Sequence, residues 1–206
     1  MKELTAIYKE LSQHYGPQNW WPGEGLEIAV GAVLTQQTSW INVEKALSKI
    51  KDNNCMNLDC LNSLPLSRLE EFIRSSGYYK VKAQRLKNLV NLLINNPVPN
   101  RTMLLSVNGI GNETADSILL YQFEKPYFVI DEYTFRILER IGIYSRRNYL
   151  ELQRIFMENI PSNIQIYKEY HALLVVHGKS CCTKNKPKCV TCPLQSRCKH
   201  YTKNNE

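Results

Sequence analysis

Four cysteines close to the C-terminus have the spacing of a metal-binding loop. Six, two and five residues separate Cys182, Cys189, Cys192 and Cys198. Four thiolates can surround a Zn²⁺ ion or a cubane iron–sulfur cluster, because both accept four soft ligands in a tetrahedral array. Zinc sites more often contain two close cysteine pairs, whereas this loop contains one, but spacing alone leaves both groups open. The loop is predicted to be a closed structural site that excludes Cys181.

Asp131 lies where a helix is predicted to begin. It follows an apolar run and precedes Phe135, Leu138 and Ile141 at helical spacing, which predicts that it caps a helix N-terminus. The partial positive charge at a helix N-terminus stabilises an ionised carboxylate. Asp131 is therefore expected to remain available as a base or as a counter-charge.

The segment Asn108–Ala115, NGIGNETA, predicts a tight turn between two helices. Gly109 and Gly111 permit backbone angles that other residues avoid. Backbone N–H groups that open the second helix can hold a DNA phosphate without reading sequence. A generic turn between packed helices gives the same pattern, and for these residues alone it is the favoured interpretation. Glu113, two residues after the second glycine, is unexpected at an anion site.

All three tryptophans lie within 21 residues of one another. Trp20 and Trp21 precede Pro22 in a polar connection, and Trp40 follows the segment 34–38. Packing in a core is the usual role of tryptophan, but flat rings can also stack on a nucleic-acid base. The residues alone favour neither interpretation.

Helical periodicity dominates the elements that would position these residues. Only Tyr127–Ile130 could form a strand. An all-α fold is predicted, with helices at 4–15, 26–33, 43–50, 65–75, 80–94, 102–107, 113–122, 131–141, 149–159 and 164–177.

Composition favours a soluble, intracellular protein with a basic C-terminal segment. The chain has 206 residues and a net charge of +7, with 43% hydrophobic and 22% charged residues. No apolar run approaches the ~18 residues that span a membrane, and the N-terminus lacks the apolar block of a signal peptide. Neither a membrane anchor nor a disulfide framework is expected. From Lys179 onward there are seven basic residues and one acidic residue. This basic segment could bind a polyanion, and it could equally be a solvated tail.

The order of the motifs resembles the endonuclease III superfamily of helix-hairpin-helix DNA glycosylases over nearly the whole chain. Only the combination is specific: L-T-Q-Q-T at 34–38, S-G-Y-Y-x-x-K-A at 76–83, V-x-G-I-G-x-x-T-A at 107–115, V-I-D at 129–131, and H-G-K at 177–179 before the cysteines. The resemblance implies a two-lobed fold with a catalytic cleft between the lobes. A six-helix barrel would comprise residues 24–128, with the hairpin at about 103–122, and a cluster lobe would comprise residues 1–23 plus 129–206.

The resemblance also implies a role for each matching residue. Asp131 would be the catalytic aspartate, and Gln37 would fill the gap left by a flipped nucleotide. The cysteines of the loop 182–198 would hold a [4Fe–4S] cluster, with zinc as the alternative. The expected partner is double-stranded DNA with damaged bases, bound by a monomeric cytoplasmic protein that associates with the nucleoid. The hairpin that grips the DNA backbone would be formed by Gly109, Ile110, Gly111 and Thr114.

Glu113 departs from the pattern of the bifunctional members. These members carry a lysine there that attacks the sugar C1′, forms a Schiff base and cleaves the strand, and a carboxylate cannot form that imine. The resemblance therefore implies a monofunctional hydrolase. Asp131 would stabilise the oxocarbenium-like sugar and position or deprotonate a water molecule. Glu113 itself is interpreted as a first-turn helix residue favoured by the helix dipole.

Within this superfamily, the sequence is most similar to the 3-methyladenine DNA glycosylase branch. The similarity lies in two features: Trp-Trp-Pro precedes L-T-Q-Q-T, and the hairpin lacks the lysine. In that branch aromatic residues stack on an alkylated, positively charged base, and a cation against an electron-rich ring gains ~0.5–2 kcal/mol. The pocket candidates are Trp20, Trp21, Pro22, Trp40 and Lys179.

Two other hypotheses stay open. The same fold could act on mismatched adenine, uracil or thymine, or on oxidised pyrimidines with strand cleavage through another amine such as Lys179. The chain could also be a non-catalytic, cluster-containing DNA-binding protein.

Overall fold

Helices carry the regular structure of residues 2–203, the part of the chain that the computed structural model describes. The outermost residues of the expected cluster lobe, residue 1 and residues 204–206, lie outside that range. No strand occurs within it, so the prediction of an all-α fold is confirmed. The helices are α1 (Lys2–Tyr15), α2 (Leu26–Leu34), α3 (Trp40–Asp52), α4 (Leu58–Ser63), α5 (Leu66–Phe72), α6 (Tyr79–Asn95), α7 (Arg101–Ser106), α8 (Asn112–Ser117), α9 (Glu132–Ile141), α10 (Tyr149–Asn159), α11 (Ile164–Ser180) and α12 (Lys199–Lys203).

The described residues separate into two units. Pro22–Glu124 form the first unit, which contains α2 to α8. The residues up to Trp21 and those from Lys125 onward form the second unit, which contains α1 and α9 to α12. No helix of residues 2–203 is both long enough and apolar enough to cross a membrane.

Helix α2 forms the core of the first unit. Residues 28–34 are all buried, and Glu27 is the only charged residue of the helix. A helix that is apolar on all sides must be enclosed, and α2 contacts α3, α6 and α8. The buried Lys82 of α6 donates to the carbonyl oxygens of Leu34, at 2.8 Å, and Ser76, at 2.6 Å, which fixes the C-terminal end of α2.

Helices α7 and α8 form a hairpin that is tied by a buried ion pair. The fully buried Asp116 accepts hydrogen bonds from Arg101 Nε at 2.7 Å and Nη2 at 3.0 Å. Arg101 Nη2 also donates to Asn112 Oδ1 at 2.8 Å. The first residue of α7 is therefore bound to two positions on α8.

Arg101→Met should destabilise the protein by about 3 kcal/mol, because the Asp116 carboxylate would stay buried without its counter-charge. Chemical denaturation followed by circular dichroism would measure the free energy of unfolding. Arg68→Met is the control, since Arg68 and Glu71 form an exposed pair in the same unit, and its loss should cost under about 1 kcal/mol. Equal effects of the two variants would contradict a structural role for the buried pair.

Helix α11 is the central helix of the second unit. It contacts α9 and α1, and the buried Tyr170 hydroxyl donates to the backbone oxygen of Leu4 at 2.9 Å. Phe128 stacks on Phe156 with ring centroids 4.1 Å apart, and Tyr170 meets both rings edge-on. This aromatic core fixes the segment that leads into α9.

Two local features of the structure are not those predicted from the sequence. The apolar run at 127–130 is not a strand: it is a buried connection, and Gln153 Nε2 bonds the Phe128 carbonyl oxygen at 2.7 Å in place of a neighbouring strand. Cys55 and Cys60 form a disulfide with Cα atoms 5.1 Å apart, a separation typical of such bonds. The sequence did not predict this local pair. The five C-terminal cysteines form no disulfide, so the described residues contain no disulfide framework.

Candidate active site and metal-binding loop

Asp131 begins α9 and is held by two donors of Thr134. Its Oδ1 accepts hydrogen bonds from the Thr134 backbone N–H and hydroxyl group, each at 2.7 Å. The predicted N-terminal cap is therefore present. Asp131 is only 8% exposed, so the cap fixes one carboxylate oxygen in a mostly enclosed position.

The second oxygen of Asp131 faces His171 on α11. Nε2 of His171 lies 3.6 Å from Asp131 Oδ2, and both side chains are buried. At this distance the contact is mainly electrostatic. Burial on its own would raise the pKa of Asp131, but the nearby His171 and the bonds from Thr134 outweigh it and hold the pKa below its ordinary value. The carboxyl group is therefore ionised near neutral pH.

Three of the predicted pocket residues lie together in the second unit. Lys179 Nζ lies 5.6 Å from the centre of the Trp20 ring and 6.0 Å from the centre of the Tyr133 ring. Trp21 meets Trp20 edge-on with centroids 5.8 Å apart. Gly178 makes room for Tyr133, because a Cβ at Gly178 would lie 2.5 Å from that ring. Tyr133 thus joins a group that the sequence predicted without it.

The other two predicted pocket residues, Pro22 and Trp40, belong to the first unit. Trp40 begins α3 and donates from Nε1 to Glu44 Oε1 at 2.9 Å. Pro22 is exposed. The five candidates therefore do not form one group within a single unit.

The glycine turn between α7 and α8 exposes Gly111 and buries the side chain of Ile110. Gly109 has φ of 86°, in the left-handed region. Ile110 is 5% exposed and anchors the turn, whereas Gly111 is exposed. Thr114, also buried, lies in the first turn of α8. The arrangement is compatible with backbone N–H groups that bind an anion.

A glutamine that the sequence did not single out holds this turn in place. Gln36 Nε2 donates to the Gly109 carbonyl oxygen and to Thr114 Oγ1, each at 3.0 Å. Its neighbour Gln37, predicted to fill the gap of a flipped nucleotide, is exposed and has φ of 55°. Glu113 is exposed in the first turn of α8.

The four predicted ligand cysteines line one cavity. Burial raises the pKa of Cys192 to about 12 and also raises the pKa of Cys189. Metal binding would therefore release protons from these thiols. The lining cysteines are Cys181, Cys182, Cys189, Cys192 and Cys198.

Two arginines of α9 support the cysteine loop. Arg140 Nη1 donates to Cys182 Sγ at 3.2 Å and to the Thr183 carbonyl oxygen at 2.7 Å. Arg136 donates to the carbonyl oxygens of Cys182, at 2.9 Å, and Gly178, at 2.8 Å. These donors place positive charge beside a group of thiols, as a negatively charged metal–thiolate centre requires.

A smaller donor group overlaps this cavity. Ligand atoms of His177, Cys181 and Cys192 all lie within 4.8 Å of one another, and Tyr15 OH is hydrogen-bonded to His177 Nδ1 at 2.9 Å. Three ligands are one short of a closed tetrahedral site. The four spaced cysteines supply a complete set around one cavity, so the residues present fit a four-thiolate metal group.

Comparison with known proteins decides the family. Residues 30–162 match the HhH-GPD superfamily of base excision DNA repair proteins. The chain belongs to this superfamily. A protein of Methanocaldococcus jannaschii, provisionally named a DNA repair glycosylase, is 42% identical, and the alignment covers 95% of each chain.

Two solved structures share the fold of this chain. A non-covalent endonuclease III–DNA complex matches with a TM-score of 0.87 and 24% identity over 99% of this chain and 97% of that one. The H. pylori 3-methyladenine DNA glycosylase bound to 1,N6-ethenoadenine matches with a TM-score of 0.80 and 30% identity over 85% of this chain and 97% of that one. The predicted superfamily and fold are confirmed, and the chain is a base excision repair glycosylase that acts on DNA.

Proposed function

We propose that the protein is a monofunctional DNA glycosylase that hydrolyses the N-glycosidic bond of a flipped, alkylated purine of the 3-methyladenine type. The observation that carries the proposal is the buried Asp131 carboxylate, which His171 and Thr134 keep ionised. A buried carboxylate with a lowered pKa can stabilise positive charge in a site from which water is largely excluded.

Asp131 acts on the deoxyribose as the base leaves. Breaking the glycosidic bond leaves an oxocarbenium-like sugar, and the carboxylate stabilises that cation. Thr134 occupies Oδ1, so Oδ2 is the oxygen that orients a water molecule or accepts its proton. The water oxygen bonds to C1′ and the base departs with the bonding electrons. His171 is a positioning residue, because it acts on the sugar only through Asp131.

The absence of a lysine at position 113 makes the reaction a simple hydrolysis. Glu113 cannot form a Schiff base with C1′, so the abasic strand stays intact after base release. Its place in the first turn of α8 is one that the helix dipole favours for a carboxylate.

The aromatic group of the second unit supports an alkylated purine as the substrate. The Trp20 and Tyr133 rings already attract the Lys179 ammonium group. An alkylated purine carries a delocalised positive charge and would gain the same type of interaction, worth ~0.5–2 kcal/mol. The similar H. pylori glycosylase acts on 3-methyladenine, as its name states. Neutral bases would lack this gain.

A panel of duplexes tests the substrate. Each duplex carries one base: an alkylated purine, 1,N6-ethenoadenine, uracil, mismatched adenine, mismatched thymine or an oxidised pyrimidine. Single-turnover rates of base release should be at least about tenfold higher for the alkylated purine. Faster release of a mismatched or oxidised base would overturn the substrate, and no release from any duplex would favour a non-catalytic DNA-binding protein.

The cysteine loop is proposed to hold a [4Fe–4S] cluster through Cys182, Cys189, Cys192 and Cys198. The cluster would cross-link the loop to the end of α11 and stabilise the unit. Arg136 and Arg140 would anchor the loop around it.

Cys198→Ser should lose the visible absorption of the cluster and most of about four iron atoms per chain. The matched control is Cys181→Ser, because Cys181 lines the same cavity but is not an expected ligand. It should keep the iron. Metal analysis and absorption spectroscopy of the purified variants would give the result. Stoichiometric zinc without iron in the wild type would contradict the cluster.

A further inference from the structure

Arg85 of α6 lies against the turn of the hairpin. Its Nη1 donates to Gln36 Oε1 at 2.5 Å, and Gln36 donates in turn to Gly109 and Thr114. A Cβ at Gly109 would lie 2.1 Å from Arg85 Nε. Gly109 therefore serves two purposes, since it adopts a left-handed conformation and leaves the space that the arginine occupies.

The positive charge of Arg85 has no acidic partner among residues 2–203. Its hydrogen-bond acceptor is a neutral amide oxygen, and the side chain is half-buried. Lys82, three residues earlier, adds a second cation that bonds only carbonyl oxygens. Burial, reinforced by the charge of Arg85, lowers the pKa of Lys82 to about 8. A half-buried guanidinium group without a carboxylate, next to a second buried cation, creates a local demand for an anion.

We propose that Arg85 is a DNA-phosphate ligand that works beside the backbone amides of the hairpin, with Gln36 as its positioning residue. The inference rests on the proposed role of the hairpin in binding DNA. A guanidinium group has five N–H donors and suits two phosphate oxygens at once. Gln36 uses one donor and fixes the plane of the group, so the other donors remain for the phosphate. The contact would be independent of base sequence.

Binding of an undamaged duplex at several salt concentrations tests this role. Each phosphate neutralised contributes about 0.9 to the slope of log affinity against log salt concentration. Arg85→Gln should lower that slope by about one and weaken binding about tenfold at moderate salt. Arg85→Lys should keep the slope, because it keeps the charge, while it loses part of the affinity through the missing second hydrogen bond.

Arg68→Gln is the matched control, because it removes the same charge from the same unit at an exposed position paired with Glu71. Its slope should equal that of the wild type. Thermal unfolding of all variants identifies any loss of structure. If Arg85→Gln unfolds, wild-type affinity in Arg85→Lys would overturn the inference, because the second hydrogen bond to the phosphate would then contribute nothing.

An unchanged salt slope in Arg85→Gln, or an equal decrease in Arg68→Gln, would overturn the inference. The readout does not depend on base release. A wild type that binds DNA with an Arg85-dependent slope but releases no base would contradict the proposed glycosylase activity and leave this assignment intact.

Discussion

Asp131→Asn is expected to lower the single-turnover rate of base release about a thousandfold or more while DNA affinity stays within about twofold of wild type. The amide has the same shape, and its oxygen can still accept the two hydrogen bonds from Thr134 that cap α9. The substitution removes only the negative charge that we propose stabilises the sugar cation. Release of free base and fluorescence anisotropy of labelled duplex would measure the two quantities.

Glu132→Gln is the control for this variant. Glu132 is the next residue, is exposed, and forms an ion pair with Arg147 at 2.7 Å. Glu132 carries the same negative charge as Asp131 but does not face His171. Removal of the Glu132 charge should therefore leave base release near the wild-type rate. A fully active Asp131→Asn variant, or an equal loss in Glu132→Gln, would contradict the assigned role.

The pH dependence follows from the lowered pKa of Asp131. Ionised Asp131 is the proposed active form. The fall in the rate of base release that its protonation causes should therefore lie below a pH of about 4, the ordinary pKa of an aspartate. The carboxylate also contributes stability that is present above the unfolded-state pKa and is lost as pH falls through the lower folded-state pKa. His171→Gln removes the imidazole that helps to lower the pKa of Asp131, so burial should raise that pKa. The acid limb of the pH–rate profile should therefore move to higher pH. An unshifted limb would contradict the positioning role of His171.

Glu113→Lys is expected to create a covalent intermediate that the wild type does not form. The new amine would stand at the first turn of α8, where the positive end of the helix favours the neutral, nucleophilic form. Borohydride reduction in the presence of an abasic duplex should therefore trap this variant on DNA. Denaturing gels would show the trapped complex, together with strand cleavage before alkali treatment.

Glu132→Lys provides the same change of charge at an exposed position outside the hairpin. It should not be trapped, because added positive charge alone does not place an amine at C1′. Trapping of the wild type itself would show that another amine, such as Lys179, performs the lyase step and would contradict the monofunctional assignment.

Several parts of the site could be predicted because each depends on neighbouring residues. The cap at Asp131 is set by the helical spacing that follows it, and the glycine turn by local backbone freedom. The gathering of four cysteines around one cavity needs only a short loop. Local patterns of this kind are visible in a single sequence.

Other parts depend on tertiary packing that no local pattern encodes. His171 lies 40 residues beyond Asp131 in the sequence, and periodicity on α11 shows only that it belongs to a buried face. Gln36 and Arg85 meet through the packing of α2, α6 and the hairpin turn. The run at 127–130 has the apolar character of a strand, but tertiary packing encloses it without a partner strand. Tertiary packing determines these contacts, because the hydrophobic character of a segment does not specify which residues it will pack against.

Incubation of the wild-type protein with methylated duplex DNA gives two products to measure, free bases and strand breaks. Chromatography with mass detection would identify each released base, and gels with and without alkali would count the breaks. We expect released 3-methyladenine and strand breaks that occur only after alkali treatment. Absence of any released methylated purine, or breaks in step with base release before alkali, would contradict the proposed function.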